Sequence, residues 1–146
     1  MAASPRFRHQ RVHIRLGSLL ERHVDGRRLG AVVGLINLYL DDLNYVQLDF
    51  SYFTSEQASR LDDAQAICEV PRLVVEILSS STSSHDRVKK RRWYAELGVR
   101  EYWLADTFAG HVEVIDLVGG TSRDADPVLS SVLPELALPL AEIFVP

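Results

Sequence analysis

The sequence predicts an α/β fold, a mixed central β-sheet flanked by helices. Three observations lead there. Val12, Leu16, Leu19, Leu20 and Val24 recur at helical spacing in a stretch whose other positions carry Arg. Several short segments rich in Val, Ile, Leu and Tyr read as strands. The element order is helix, strand, strand, short helix, strand, helix, strand, strand, and the unit from residue 73 to residue 105 can form a right-handed crossover.

The first helix runs over residues 7–25 and ends at Asp25-Gly26. The run AVVGLINLYL, up to Leu40, is nearly all apolar and reads as a strand, followed by a polar turn at Asp41–Asn44. Tyr45 to Phe53 alternates as a hairpin partner. Val46, Leu48, Phe50 and Tyr52 are expected on one face, with Gln47, Asp49 and Ser51 on the other. Thr54-Ser55-Glu56 can cap a short helix toward Leu61. Residues 73–78, LVVEIL, suit a central strand buried on both faces. The SSSTSS run then leads into a helix over 85–97, with Ser84 as N-cap, Asp86 at the positive end of the dipole and Gly98 as the stop. Residues 100–105 and 111–118 are two more strands around a turn at Asp106–Gly110. The proline-bearing tail is extended or turned, with a short helix at 139–144.

Composition narrows the function classes. The 146 residues suit one domain, 1–146, and 47% hydrophobic with 25% charged residues is ordinary for a globular chain. No apolar run is long enough to span a membrane, and the N-terminus MAASPRFRHQR lacks a signal-peptide core. The single cysteine, Cys68, can form neither an internal disulfide nor a cysteine zinc site, which points to the cytoplasm. Net charge is -4, yet residues 1–28 carry +5 and residues 85–100 carry +4, leaving -13 on the remainder. Two basic segments on an acidic chain can bind a polyanion if they share a face; otherwise they are solvated helix surfaces.

Three residues stand out chemically. Glu76 lies in a strand between apolar neighbours, where an ionised carboxylate must be paired or metal-bound; a strand-end pairing with Arg72 or another cation is the alternative. Asp49 sits on the polar side of its strand, and two carboxylates on neighbouring strands can hold Mg²⁺, which keeps several waters; a simple exposed acid is the alternative. Asp86, Lys90 and Tyr94 share one helix face, so Lys90 can bring an ammonium over the strand end or form a surface pair with Asp86.

The ordered set VQLDF, PRLVVEILSSST, HDRVKKRRWYAELGVREYWLAD and HVEVIDL resembles restriction endonuclease-like proteins of the Uma type, within the PD-(D/E)XK nuclease superfamily. The resemblance covers about residues 9–143. It implies a restriction endonuclease-like core. Asp49 then matches the aspartate of the PD element and Glu76 the acid of the E-x-K element, both as metal ligands and catalytic residues. Leu78 stands where the strand lysine usually sits, and Lys90 matches the basic residue displaced to the next helix. His9, Asp86 and Tyr94 match supporting polar positions, as do Trp103 and Asp106. Leu48, Arg72 and Ser80 depart from the usual loop residues without removing a metal ligand.

The implied activity is Mg²⁺- or Mn²⁺-dependent hydrolysis of DNA phosphodiester bonds. Arg8, Arg11, Arg15, Lys89 and Arg92 are the expected phosphate contacts, and a homodimer would let a small nuclease cut both strands. The alternatives are a nuclease-fold protein that binds nucleic acid or a protein partner without cutting, and a dimeric scaffold. Other signals are weaker. His9 and His13 at i, i+4 lack the acid of a zinc motif, the serines lack a G-x-S-x-G context, and no P-loop is present. Trp93, Tyr102 and Trp103 read as core or interface residues. Asp49 and Glu76 are expected on adjacent strands facing a common solvent-reaching pocket, with Lys90 approaching Glu76 and Lys89 in solvent.

Overall fold

The computed structural model describes residues 5–78 and 84–146; the serine-rich run up to residue 83, Ser80 included, lies outside the described residues. The elements are α1 (Pro5–Gly26), β1 (Gly30–Tyr39), β2 (Tyr45–Thr54), α2 (Ser55–Ala58), β3 (Leu73–Leu78), α3 (Ser84–Leu97), β4 (Glu101–Asp106), β5 (His111–Asp116), β6 (Thr121–Asp124), β7 (Val128–Leu129), β8 (Ala137–Leu138) and α4 (Leu140–Ile143). Strands β1 to β6 form one sheet in chain order, and β7 pairs with β8 separately. Within the large sheet β3 and β4 are parallel and every other pair is antiparallel. The parallel pair needs a crossover, which α3 supplies.

Two hydrophobic layers sandwich the sheet. On one side Val12, Leu16, Leu20 and Val24, one per turn of α1, pack on Phe50, Tyr52, Leu73, Val75, Ile77, Trp103 and Ala105. Gly17 lets α1 approach closely, since a Cβ there would lie 2.6 Å from the Phe50 ring. On the other side Tyr94 of α3 packs with Val74, Leu78, Tyr102 and Leu104. Every residue of β3 is buried, as its unbroken apolar run predicts.

The structure departs from the expected pattern in four places. The alternation of β2 breaks at Asp49: Phe50 and Tyr52 belong to the α1 layer, whereas Leu48 and Val46 belong to the α3 layer. β1 turns over at the facing position, with Val32 in the first layer and Ile36 and Leu38 in the second. At that point Leu35 has φ 51°, and the β1–β2 ladder omits the 35–49 pair. The hairpin therefore rolls half a turn about Asp49. Second, α2 spans only four residues behind its Thr54–Gln57 capping box, short of Leu61. Third, Ser84 lies inside α3, not before it, a one-residue shift at a helix end. Fourth, β6 and the β7–β8 ribbon were not expected; β6 is a fully exposed TSRD with no apolar signal to reveal it.

The two basic segments do not share a face. α1 and α3 lie on opposite sides of the sheet; the start of α1 reaches Asp49 through His9, and the middle of α3 reaches Glu76 through Lys90 and Tyr94.

Candidate active site

Glu76 is the centre of the polar cluster. It projects from the middle of β3 into the α3 layer, beside Val74 and Leu78, and its side chain is 8% exposed. Its carboxylate is fully engaged. The Tyr94 hydroxyl of α3 donates to Oε1 at 2.5 Å, and the Tyr102 hydroxyl of β4 donates to Oε2 at 2.7 Å. Lys90 Nζ straddles both oxygens at 3.4 Å and reaches Asp86 Oδ2 at 3.6 Å. Burial, reinforced by the negative charge of Glu76, pushes the Tyr94 and Tyr102 phenols well above the ordinary tyrosine range. Both therefore stay protonated donors, which fixes Glu76 as the acceptor. The cation beside Glu76 is Lys90, so Arg72, which leads into the other end of β3, is not its partner.

Asp49 reaches the same strand from β2. The β2–β3 ladder ends at the Phe50–Val75 pair. Beyond it the Asp49 side chain replaces the ladder: Oδ2 accepts the Ile77 backbone N–H at 2.8 Å, one residue from Glu76. The other oxygen, Oδ1, faces His9 Nε2 of α1 at 3.7 Å. His9 stacks on His13 with centroids 6.1 Å apart, and His13 stacks on Phe50 at 4.3 Å. The roll of the hairpin at Leu35 and Asp49 is what aims Asp49 along β3. Asp49 and Glu76 thus sit on adjacent strands, but their surroundings differ. Asp49 is 20% exposed and Lys90 24%, whereas Glu76 is nearly closed, so solvent reaches the cluster from the Asp49 and Lys90 sides.

Among the described residues, no group of three or more His, Cys, Asp or Glu is arranged to hold a metal ion. Two carboxylates remain, and Mg²⁺ or Mn²⁺ with most of its ligands as water asks for no more. Two carboxylate oxygens offer about four acceptor sites. Phenols and Lys90 take most of those on Glu76, so Asp49 Oδ1 is the more available ligand atom. The donor set fits a hard divalent cation and not zinc, for which His9 and His13 would have to converge.

The other expected residues are dispersed. Lys89 is exposed and lies 4.7 Å above the Trp93 ring, on a different face of α3 from Lys90. Arg92 is solvent-facing beside Glu96 at 3.9 Å. Arg8 stacks over Phe108 at 5.3 Å, and Arg15 donates to the Val145 carbonyl at 3.0 Å. Arg11 is exposed on α1. Asp106 caps its own turn by accepting from the Phe108 and Ala109 amides. Trp103 lies in the opposite layer, donating to Glu101. Sequence reasoning missed Tyr102, which looked like core. The available signal was that a buried phenol needs a partner, but the sheet register placing it beside Glu76 could not be read from one chain.

A family model described as "Uma2: Putative restriction endonuclease" matches residues 1–143. Among solved structures, a crystal structure from Anabaena variabilis ATCC 29413, titled as "a putative nuclease belonging to DUF820", superposes with a TM-score of 0.77 at 20% identity. The match covers 94% of this chain and 80% of that one, and at this identity it shows a shared fold. No curated protein matches the chain.

Proposed function

The chain belongs to the Uma2 family of restriction endonuclease-like proteins, and from that premise we propose that it is a Mg²⁺- or Mn²⁺-dependent endonuclease hydrolysing DNA phosphodiester bonds. Asp49 and Glu76 are its metal-binding and catalytic carboxylates and Lys90 its catalytic cation. The observation that carries the proposal is that Lys90 of α3 pairs with Glu76 of β3 while Asp49 of β2 is anchored on the Ile77 amide, one residue along β3. Asp49 and Glu76 would hold the divalent cation, which would supply Lewis-acid polarisation of the phosphate when bound. The residues do the rest. Ile77 N–H fixes one oxygen of Asp49 and leaves the other for a ligand. Tyr94 and Tyr102 set the orientation of Glu76. The Lys90 ammonium stabilises negative charge gathering on the phosphoryl oxygens as a water oxygen bonds to phosphorus and the bond to the departing sugar oxygen breaks. His9 positions Asp49, and Asp86 steadies Lys90.

The same proposal includes a single domain over residues 1–146, phosphate contacts from the arginines of α1 and from Lys89 and Arg92, a cytoplasmic setting, and a homodimer when both strands are cut. No helix among the described residues is long and apolar enough to cross a membrane.

One observation favours the second reading, a nuclease fold that binds without cutting: Glu76 is already saturated by protein donors. Incubating supercoiled plasmid with the protein and Mg²⁺ or Mn²⁺, with Glu76→Gln alongside, separates the two. The nuclease nicks or linearises plasmid and the variant does not. Intact plasmid with both metals, together with a retarded band in a gel shift, would establish the binding reading instead.

A further inference from the structure

A cleft of about 320 Å³ opens between the first turns of α1 and the β4–β5 turn, lined by Phe7, Arg8, Arg11, Arg15, Thr107 and Phe144 among others. No acidic side chain lines it. Four other clefts, around Asp41 and Glu96, Glu113, Asp62 and Glu69, and Glu135 and Glu142, each include at least one carboxylate. On a chain of net charge -4, a cleft whose charged side chains are all guanidiniums favours an anion. Phe7, in its wall, is 59% exposed, and the wall residue Arg8 rests on the face of Phe108, which follows the lining residue Thr107 and is 53% exposed. Exposed rings beside planar guanidiniums are what an unpaired base stacks on, whereas a duplex keeps its base faces covered. The volume is at the small end of ligand sites, roughly 300–1,000 Å³, enough for a base and its phosphate.

The cleft adjoins the candidate active site. Its Arg8 precedes His9, the residue facing Asp49, and its Thr107 follows Asp106, which pairs with Leu78 two residues beyond Glu76. We propose that this cleft binds one unstacked nucleotide of a single DNA strand, its base on Phe7 and Phe108 and its phosphate on Arg11. The protein then prefers single-stranded or overhanging DNA to blunt duplex. This rests on the nuclease reading for the identity of the polymer.

The test is fluorescence anisotropy in EDTA, which reads binding without cleavage, using labelled oligo-dT and a blunt duplex of equal length. The wild type binds oligo-dT about fivefold or more tightly, the effect of one stacked base. Phe7→Ala/Phe108→Ala removes that preference and leaves duplex affinity unchanged. Both rings are more than half exposed, and an unshifted melting curve verifies the fold. Arg11→Gln flattens the log–log salt dependence for oligo-dT by about 0.7, one phosphate on a single strand. Equal wild-type affinity for the two DNAs would overturn the proposal. So would a preference that survives the double phenylalanine substitution, or competition by polyglutamate equal to that by oligo-dT at matched charge. Plasmid cleavage without strand preference defeats this proposal alone; strand preference without plasmid cleavage defeats only the catalytic one.

Discussion

Two carboxylates lie buried on neighbouring strands, and their contrast separates architecture from chemistry. Glu101 opens β4 and points into the α1 layer; Glu76 sits mid-β3 and points into the α3 layer. Both accept several hydrogen bonds, so the kind of donor separates them. Glu101 accepts from Trp103 Nε1 at 2.7 Å, Ser130 Oγ at 2.6 Å, and the Ser131 amide and hydroxyl at 2.8 and 2.6 Å. All four donors are neutral, and they tie the loop after β7 to the sheet. Glu76 instead has two phenols and a partly exposed lysine, with a second carboxylate anchored one residue away. A buried acid held only by neutral donors is a latch. One that shares a cation with another acid, one residue from a part-exposed carboxylate, has the pattern of a candidate functional site.

The largest expected effect follows from exchanging the two. Glu76→Gln lowers plasmid cleavage by about 1,000-fold or more and shifts stability by only about 1 kcal/mol, since an amide keeps most of the packing. Glu101→Ala does the reverse. It strands the buried Trp103 indole N–H and frees the loop donors of Ser130 and Ser131, at a cost of about 2–4 kcal/mol, while a preparation kept folded at low temperature still cleaves. Urea unfolding and a cleavage time course on both variants check the pair. If Glu101→Ala unfolds no more easily than Glu76→Gln, the latch role is wrong.

Lys90 sharpens the contrast, because Glu101 has no counterpart to it. Lys90→Ala reduces cleavage by about 100-fold or more, as expected for a group stabilising transition-state charge. Lys89→Ala removes an exposed cation beside Trp93 and mainly weakens DNA affinity, leaving the cleavage rate at saturating DNA within about threefold. Equal rates for wild type and Lys90→Ala would remove the ammonium from the mechanism.

The phenols give a pH test. Their titration is raised in the folded protein, chiefly by burial, above the unfolded value near about 10. Their contribution to stability is then complete below about pH 10 and lost as pH rises from there toward the folded values. The fall in unfolding free energy between about pH 8 and about pH 11 is expected to be shallower in Tyr94→Phe/Tyr102→Phe. That variant also loses about 2–4 kcal/mol at neutral pH, from two missing donors to Glu76. An unchanged slope would mean that the phenols titrate alike in both states.

What the sequence revealed follows the same division. Glu76 was legible because an acid inside LVVEIL violates the apolar pattern of a central strand. Lys90 was legible through helical phase with Asp86 and Tyr94, and Asp49 through its family match. Glu101 was not, since an acid at the start of REYWLA looks like an ordinary strand end, and three of its four donors come from about thirty residues later. Tyr102 shows the same limit: alternation identifies a buried face but not which residue of the neighbouring strand shares it. The helices and long strands followed from periodicity. β6 did not, because a polar edge strand made by pairing alone has no hydrophobic signature. The roll of the β1–β2 hairpin escaped too, because Val46 to Tyr52 alternates without interruption in composition.

That roll supplies the smallest and most local prediction. Leu35 adopts φ 51° opposite Asp49, at the one omitted position of the β1–β2 ladder, and is 60% exposed. A left-handed backbone costs a non-glycine residue about 1–2 kcal/mol. Glycine avoids that cost but loses about 0.5–1 kcal/mol of unfolded-chain entropy on ordering. With little apolar area to forfeit, Leu35→Gly is expected to be neutral or to stabilise by up to about 1 kcal/mol, with cleavage intact. Leu35→Val is expected to do worse on both counts. A β-branched residue resists positive φ and drives the strand toward regular pairing, which rotates Asp49 off the Ile77 amide. The Glu101 latch, on another strand and the other layer, should be untouched, so any loss in Leu35→Val appears in cleavage more than in unfolding. Destabilisation of Leu35→Gly by more than about 2 kcal/mol would show that the Leu35 side chain, and not its backbone, holds the bend.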